Sequence, residues 1–232
     1  MALRLSVIIC AHNEARYLSS CLYSLLAQSR IPDEILVVNN ASTDETRAVA
    51  HQVPHVRVVD EPRKGLVVAR ETGRREATGD VLVYLDADCR APLTWLARIE
   101  EHFLRDRRLL ALSGPYRYYD WNWWGRTLIR AYDYTLAPAT QLLVKYVLGI
   151  GTIFYGGNVA VRCEALEKIG GFDVSIECHG EDTSRAHTVE RRQTDARGSR
   201  RSVRIDGQVR RDCNYRSHPH EEGLLRARGA SG

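Results

Sequence analysis

Short aliphatic runs alternate with helix-length segments throughout the N-terminal half of the chain. The runs are rich in valine, isoleucine and leucine and carry no polar alternation, which predicts strands buried on both faces. Strands are expected at residues 5–10, 34–38, 56–60 and 81–85. Helices are expected at residues 14–28, 43–51, 66–77 and 92–104. Strict alternation of this kind is typical of an α/β protein with a doubly wound, mostly parallel sheet and helices on both faces.

Two of the expected helices begin with familiar capping signals. Ser42 or Thr43 is expected to cap the second helix, with the acid at Asp44 favoured by the helix dipole. Pro92 is expected at the first position of the fourth helix, where a missing backbone N–H costs nothing.

Polar residues follow three of the expected strands, at residues 11–14, 39–42 and 86–88. In a sheet of this kind ligands bind beyond the carboxyl ends of the strands, where the loops converge on a crevice. Asp86 and Asp88 are the strongest candidates, because two carboxylates one residue apart offer the hard oxygen ligands that Mg²⁺ or Mn²⁺ takes when it bridges phosphates. Acids after a strand can also be plain turn residues.

The charge distribution argues against nucleic acid as a partner. The formal net charge is +4, but residues 184–232 contain 12 arginines and 6 acids, while residues before 184 contain 21 basic and 23 acidic side chains. The body of the chain is therefore close to neutral and lacks the basic patch typical of nucleic-acid binding. The six cysteines are scattered without a C-x-x-C pair. That pattern indicates neither a zinc site nor a disulfide framework, and favours the cytoplasm.

Residues 116–155 are crowded with tyrosine and tryptophan and then become apolar. The stretch 136–154 has about the length of a membrane span, but Pro138, Gln141 and Lys145 interrupt it. Burial in the domain, or peripheral contact with a membrane interface at the inner face of the cell membrane, is the expectation.

Six ordered segments of the chain resemble the family-2 inverting glycosyltransferases of the GT-A fold. The resemblance covers residues 5–182, about three quarters of the chain. The matching segments are LSVIICAHNEARYLSSCLYSLLAQ, EILVVNNASTDET, KGLVVARETGRREATGD, VLVYLDADC, GGNVAVRCEALEKIGGFD and GED. The resemblance implies an enzyme that transfers a sugar from a nucleotide-sugar donor to a saccharide or lipid-linked acceptor.

Roles in donor binding follow from the matching positions. The resemblance implies that Ala11, Asn13 and Glu14 border the nucleoside and that Asn39 meets the base. The family's commonest residue at position 39 is Asp, so the base is left open, because Asn can both accept and donate a hydrogen bond. The resemblance further places Lys64 and Arg70 near the donor phosphates, although both can equally be solvated surface cations.

The metal and the catalytic base are implied in the same way. Asp86 and Asp88 match the family's D-x-D motif, in which the second acid coordinates Mg²⁺ or Mn²⁺ and the first reaches the ribose or a metal-bound water. Asp182 matches the carboxylate that takes the proton from the attacking hydroxyl, with Glu181 orienting it or the acceptor. The glycines at 156–157 and 170–171 are expected to permit turns that shape the acceptor wall.

Two alternatives stay open on the sequence. A sugar-phosphate nucleotidylyltransferase would need a glycine-rich basic loop after the first strand, which residues 10–17 do not provide. A non-catalytic nucleotide-sugar binder is motivated by the tail, residues 184–232, which has 12 arginines, no lysine and no periodic apolar pattern. Such a segment cannot bury enough apolar area to offset its ordering entropy. We therefore expect a catalytic domain at 1–183, and a tail that is disordered or non-native, as out-of-frame translation would give.

Overall fold

The computed structural model describes residues 2–114, 116–118, 122–142, 157–175, 202–205 and 213–215. The strands are β1 (Leu5–Ala11), β2 (Glu34–Asn40), β3 (Val56–Glu61), β4 (Val81–Leu85), β5 (Leu109–Ser113), β6 (Tyr116–Tyr118), β7 (Asn158–Arg162), β8 (Ser202–Ile205) and β9 (Cys213–Tyr215). The helices are α1 (Ala15–Leu26), α2 (Thr46–Gln52), α3 (Leu66–Glu76), α4 (Trp95–Arg105), α5 (Trp123–Tyr134), α6 (Leu136–Leu142) and α7 (Cys163–Lys168).

Seven strands form one sheet in the order β3-β2-β1-β4-β7-β5-β8. Strands β1 to β4 pair in parallel, whereas β7 runs antiparallel to both of its neighbours, β4 and β5. The predicted α/β class and the mostly parallel sheet are therefore confirmed. Because β7 is reversed, its first residue lies at the same edge of the sheet as the last residue of β4, which brings Asn158 opposite Leu85.

Two apolar layers cover the two faces of the sheet, as in a doubly wound fold. Helices α1, α2 and α4 pack on one face, where Trp95 and Phe103 are among the largest fully buried side chains. Helices α3 and α7 pack on the other face, through Ala69 and Leu166. At Gly73 a Cβ atom would lie 2.5 Å from a methyl carbon of Ile8, so the missing side chain lets α3 lie directly on β1.

The four predicted strands and four predicted helices are all present, with three local corrections. Strand β3 is not buried on both faces, because it is the edge strand of the sheet and most of its residues are partly exposed. Helix α2 begins at Thr46, where the carboxylate of Asp44 accepts the backbone N–H of Thr46 over 3.0 Å, so neither Ser42 nor Thr43 is the cap. Helix α4 begins at Trp95, after a turn in which the Trp95 N–H donates to the Pro92 carbonyl.

Two short strands lie in the Arg-rich tail. Strand β8 pairs in parallel with β5, and β9 pairs in parallel with β6. The expectation that residues 184–232 are disordered or non-native stays a prediction. No helix within the described residues is both long enough and apolar enough to cross a membrane.

Candidate functional site

Residues from neighbouring strands meet at the carboxyl edge of the sheet. The register aligns Ala11 of β1 with Asn39 of β2, and Asn39 with Asp60 of β3. Asp86 follows the last residue of β4 at the same edge. Three of the segments singled out from the sequence therefore converge, as the parallel topology predicts.

Asp86 and Asp88 lie in a tight turn just beyond β4. The backbone N–H of Cys89 donates to the carbonyl of Asp86 over 3.0 Å, and Asp88 is only 6% exposed. One ligand atom each from Asp86, Asp88 and Cys89 lie within 4.8 Å of one another. The two carboxylates suit a hard divalent cation such as Mg²⁺ or Mn²⁺, whereas the thiol of Cys89 does not. The donor set of Asp86 and Asp88 therefore fits the metal that the sequence implies.

Gly157 lies directly against the Asp86 carboxylate. The N–H of Asp86 donates to the Gly157 carbonyl over 3.1 Å. A Cβ atom at position 157 would overlap both carboxylate oxygens of Asp86. Gly157, which the sequence suggested for the acceptor wall, thus lies against the first acid of the D-x-D motif, and any side chain there would displace that acid.

Glu14 adds a third carboxylate to this edge. Partial burial, and then the negative charges of Asp88, Asp86 and Asp44, together raise its pKa to about 7. Without a cation, the Glu14 carboxyl group is therefore about half protonated near neutral pH.

Replacing Glu14 should change how stability depends on pH. The folded-state pKa of about 7 lies above the ordinary 4.5, so between these values the folded protein holds a proton that the unfolded chain has lost. Stability due to this group is therefore present below about pH 4.5 and lost as pH rises through about 7. Glu14→Gln, which stays neutral, should be more stable than wild type at about pH 8 and similar to it at about pH 4.

Chemical denaturation in chelator across this pH range would measure the difference. Glu45→Gln removes an exposed carboxylate at the start of α2 and serves as the matched control. A constant stability difference between Glu14→Gln and wild type from acid to alkaline pH would contradict the assignment.

The loops after β1 and β2 are joined by hydrogen bonds. Asn13, with a left-handed φ of 57°, accepts the backbone N–H of Thr43 over 2.8 Å through its side-chain oxygen. The N–H of Glu14 donates to the hydroxyl of Thr46 over 2.8 Å. The side chain of Asn13 therefore holds the neighbouring loop, and this connection fixes where Glu14 stands relative to the acids.

Asn39 and Asp60 form a polar pair beside Ala11. Nδ2 of Asn39 donates to Oδ1 of Asp60 over 2.8 Å. This hydrogen bond, and then the ion pair with Arg47 at 3.0 Å, hold the pKa of Asp60 below its usual range. Asn39 is 8% exposed, and its Oδ1 is buried with no hydrogen-bond partner among the described residues.

A cleft of about 160 Å³ opens on the other face of the same edge. Its lining includes Ala11, His12, Asn40 and Lys64. Asn40 shapes this wall, because its Oδ1 accepts the N–H of Gly65 over 2.9 Å. Lys64 thus lines an open cleft beside the loop that follows β1, and its place near phosphates stays a prediction.

Arg70 lies deeper, on α3. It is 4% exposed and lines a small cavity together with Cys10 and Asp86. Burial raises the pKa of the Cys10 thiol to about 12. The positive charge of Arg70 opposes this rise, and the negative charge of Asp86 adds to it. Cys10 therefore lines the cavity as a neutral thiol. Because Arg70 is buried, the alternative that it is a solvated surface cation is wrong.

The residue after Arg70 anchors a distant turn. Glu71 accepts the backbone N–H of Phe172 over 2.8 Å and a side-chain N–H of Arg74 over 2.8 Å. Burial acts against ionisation, but these donors hold the pKa of Glu71 at about 2. Gly170 and Gly171 have left-handed φ values of 85° and 82°, so the expected glycine-dependent turn is present. The turn at residues 170–172 is thereby fixed to α3.

Eight of the ten predicted site residues lie at or near this edge of the sheet. They are Ala11, Asn13, Glu14, Asn39, Lys64, Arg70, Asp86 and Asp88. Glu181 and Asp182 lie outside the described residues. Sequence reasoning missed Asp60 and the position of Gly157. The register of β2 with β3 could have indicated Asp60, whereas the reversal of β7 could not be seen in the sequence.

This mostly parallel α/β sheet, with paired acids after its central strand, has the architecture of the GT-A fold. The model of the glycosyl transferase family 2 matches residues 6–170. The chain therefore belongs to glycosyl transferase family 2.

Two solved structures share the fold. A mannosyltransferase from Pyrobaculum calidifontis, in complex with GDP-Man and Mn²⁺, has a TM-score of 0.64 and 28% identity, covering 89% of this chain and 56% of that one. TarS of S. aureus with UDP-GlcNAc has a TM-score of 0.65 and 16% identity, covering 94% and 60%, so this likeness shows the fold alone.

Among sequence relatives, glycosyltransferase AglE of Haloferax volcanii is 34% identical over 100 residues, 40% of this chain and 33% of that protein. A glucosyl-dolichyl phosphate glucuronosyltransferase of the same organism is 22% identical over 197 residues, 80% of this chain and 61% of that protein. The chain thus spans only part of the length of the relatives it matches.

Proposed function

We propose that this chain transfers a sugar from a nucleoside-diphosphate donor to a hydroxyl group of a saccharide or lipid-linked acceptor, with inversion and with Mg²⁺ or Mn²⁺ bound. The observation that carries the proposal is the pair Asp86 and Asp88 held at the carboxyl edge of the sheet. The mannosyltransferase bound to GDP-Man and Mn²⁺ supports it, because that protein shares this fold and binds both kinds of ligand.

The donor would lie across the carboxyl edge. Ala11 and Asn39, which are register partners, would border the base, while Asn13 and Glu14 would border the nucleoside from the adjoining loop. Lys64 in the open cleft and the buried Arg70 are two cations that would lie near the diphosphate. The positive charges of these two side chains would offset the negative charge of the donor.

Asp88 and Asp86 would hold the cation beneath the diphosphate. When bound, such a cation neutralises charge on the leaving nucleoside diphosphate. The chain's own contribution is to fix the two carboxylates, through the turn that Cys89 closes and the close approach of Gly157 to Asp86.

Asp182 is the proposed base and Glu181 its orienting partner. The acceptor hydroxyl loses its proton to the Asp182 carboxylate while its oxygen bonds to the anomeric carbon. The bond from that carbon to the diphosphate oxygen breaks at the same time. Attack on the face opposite the leaving group inverts the anomeric carbon in one step. The turn that Glu71 holds at Phe172 lies nine residues before Glu181 in the sequence.

Helix α5 supports contact between the acceptor side and a membrane surface. Trp123 and Trp124 stack with ring centroids 3.8 Å apart and are 60% and 66% exposed, and Leu128 one turn further is 72% exposed. Arg126 lies between these apolar positions in the helix, and Arg130 follows Leu128. A helix of this kind binds in a headgroup layer, so a lipid-linked acceptor would be met there. Protein that stays at the bottom of a liposome flotation gradient would contradict the proposed contact between α5 and a membrane.

A donor screen with product detection tests the function. Purified full-length chain would be incubated with several nucleotide sugars, Mn²⁺ or Mg²⁺, and saccharide or lipid-linked acceptors. We expect one donor to give product, and Asp182→Asn to lower turnover by roughly 10²–10⁴-fold with donor affinity unchanged. Donor binding without product from wild type would instead favour the non-catalytic binder. Release of pyrophosphate from nucleotide triphosphate and sugar phosphate would indicate a nucleotidylyltransferase.

A further inference from the structure

The side-chain amide of Asn39 is held in one orientation. Asn39 and Asp60 are register partners on the adjacent parallel strands β2 and β3, so their side chains lie on the same face. Nδ2 of Asn39 donates to Oδ1 of Asp60 over 2.8 Å. An ionised carboxylate can only accept, so Asp60 can bind only the NH₂ end of this amide. The carbonyl oxygen of Asn39 is therefore directed away from Asp60.

That oxygen has no hydrogen-bond donor among the described residues. Oδ1 of Asn39 is buried and accepts no hydrogen bond from any residue in the described part of the chain. The whole residue is only 8% exposed. Buried acceptors in native proteins almost always have a partner, because leaving one without a donor destabilises the fold. An acceptor held at the ligand-binding edge of the sheet thus points to an N–H supplied by a ligand.

We propose that Asp60 locks the Asn39 amide so that the donor site offers a hydrogen-bond acceptor to the nucleobase and selects bases with an imino N–H. This inference rests on the proposed function, and Asp60 acts in it as a positioning residue. Uracil and guanine carry a ring N–H at the position concerned, whereas cytosine and adenine carry a ring nitrogen that only accepts. Cytosine or adenine would therefore place the acceptor nitrogen of its ring against the acceptor oxygen of Asn39.

The lock matters because the residue at position 39 is an amide. A free amide can turn its NH₂ group towards a ring nitrogen as easily as its oxygen towards a ring N–H. A carboxylate at position 39 would present an oxygen in either orientation and would need no lock. The proposal therefore predicts that Asp60 is needed for base selection when position 39 is Asn, and is dispensable when it is Asp.

Calorimetric titration with UDP, CDP, GDP and ADP in Mg²⁺ tests the proposal on the full chain. Wild type should prefer UDP over CDP, or GDP over ADP, by about tenfold or more, and the pair showing the preference identifies uracil or guanine. Asp60→Ala should bring the preferred ratio close to one. The Asp60 side chain is 51% exposed, so this variant should stay folded, which thermal unfolding would check.

Two further variants separate the lock from a general loss of structure. Arg47→Ala removes the ion pair but leaves the bond between Asn39 and Asp60, so it should keep the wild-type ratio. The double variant Asn39→Asp with Asp60→Ala should regain the preference. An unchanged ratio in Asp60→Ala, or equal binding of all four nucleotides by wild type, would overturn the lock. Failure of wild type to bind any of the four would instead contradict the donor site itself.

Discussion

Asp88→Ala should abolish the gain in nucleoside-diphosphate affinity that Mg²⁺ or Mn²⁺ gives to the wild-type protein. Asp88 is 6% exposed and one of its ligand atoms lies within 4.8 Å of one from Asp86, so it is placed to link a cation to the diphosphate. Even the outer partners of metal ligands are worth about 10–100-fold in metal affinity, so loss of a ligand should cost at least that much.

Calorimetry with and without chelator measures this gain. Asp80→Ala is the matched control, because Asp80 is an exposed acid next to the opposite end of β4. The control should keep the full effect of the metal. Equal binding of nucleoside diphosphate by wild type in metal and in chelator would show that Asp86 and Asp88 have been assigned wrongly.

Gly157→Ala should give nearly the same loss although both carboxylates remain in the chain. The added methyl group would overlap the Asp86 carboxylate, so that side chain must leave its position beside Asp88. Displacement of a functional group by about 1 Å can cost about 10²-fold. We therefore expect the metal-dependent gain in nucleotide affinity to fall by about that factor.

The residual binding in chelator distinguishes this mechanism from simple unfolding. Gly157→Ala should bind nucleoside diphosphate in chelator as well as wild type does, because Lys64 and Asn39 lie on other elements. A variant that retains the whole metal effect would mean that the Asp86 carboxylate can move aside without consequence. Manganese titration followed by paramagnetic resonance would report the site directly.

The sheet and the metal motif were predictable because their causes are local. A buried parallel strand needs a continuous aliphatic run, so β1, β2 and β4 are visible in the sequence. Polar residues at the carboxyl ends of such strands must converge, which brings Ala11, Asn39 and Asp86 to one edge. The range of strand β3 was predicted correctly, but its burial on both faces was predicted wrongly. Whether a strand lies at the edge of a sheet depends on topology, which the aliphatic run does not reveal.

Long-range packing decided the remaining features. Gly157 meets Asp86 because β7 enters the sheet in reverse between β4 and β5, about 70 residues along the chain, and such pairings leave no periodic trace in the sequence. Asp60 orients Asn39 because two strands 21 residues apart in sequence pair in one register. The sequence alone thus determined which polar groups stand at the strand ends, and so which are the candidates for metal and nucleotide binding, since that depends on residue type and strand ends. Only the tertiary structure decided how those groups are held, because each is positioned by a partner distant in the chain.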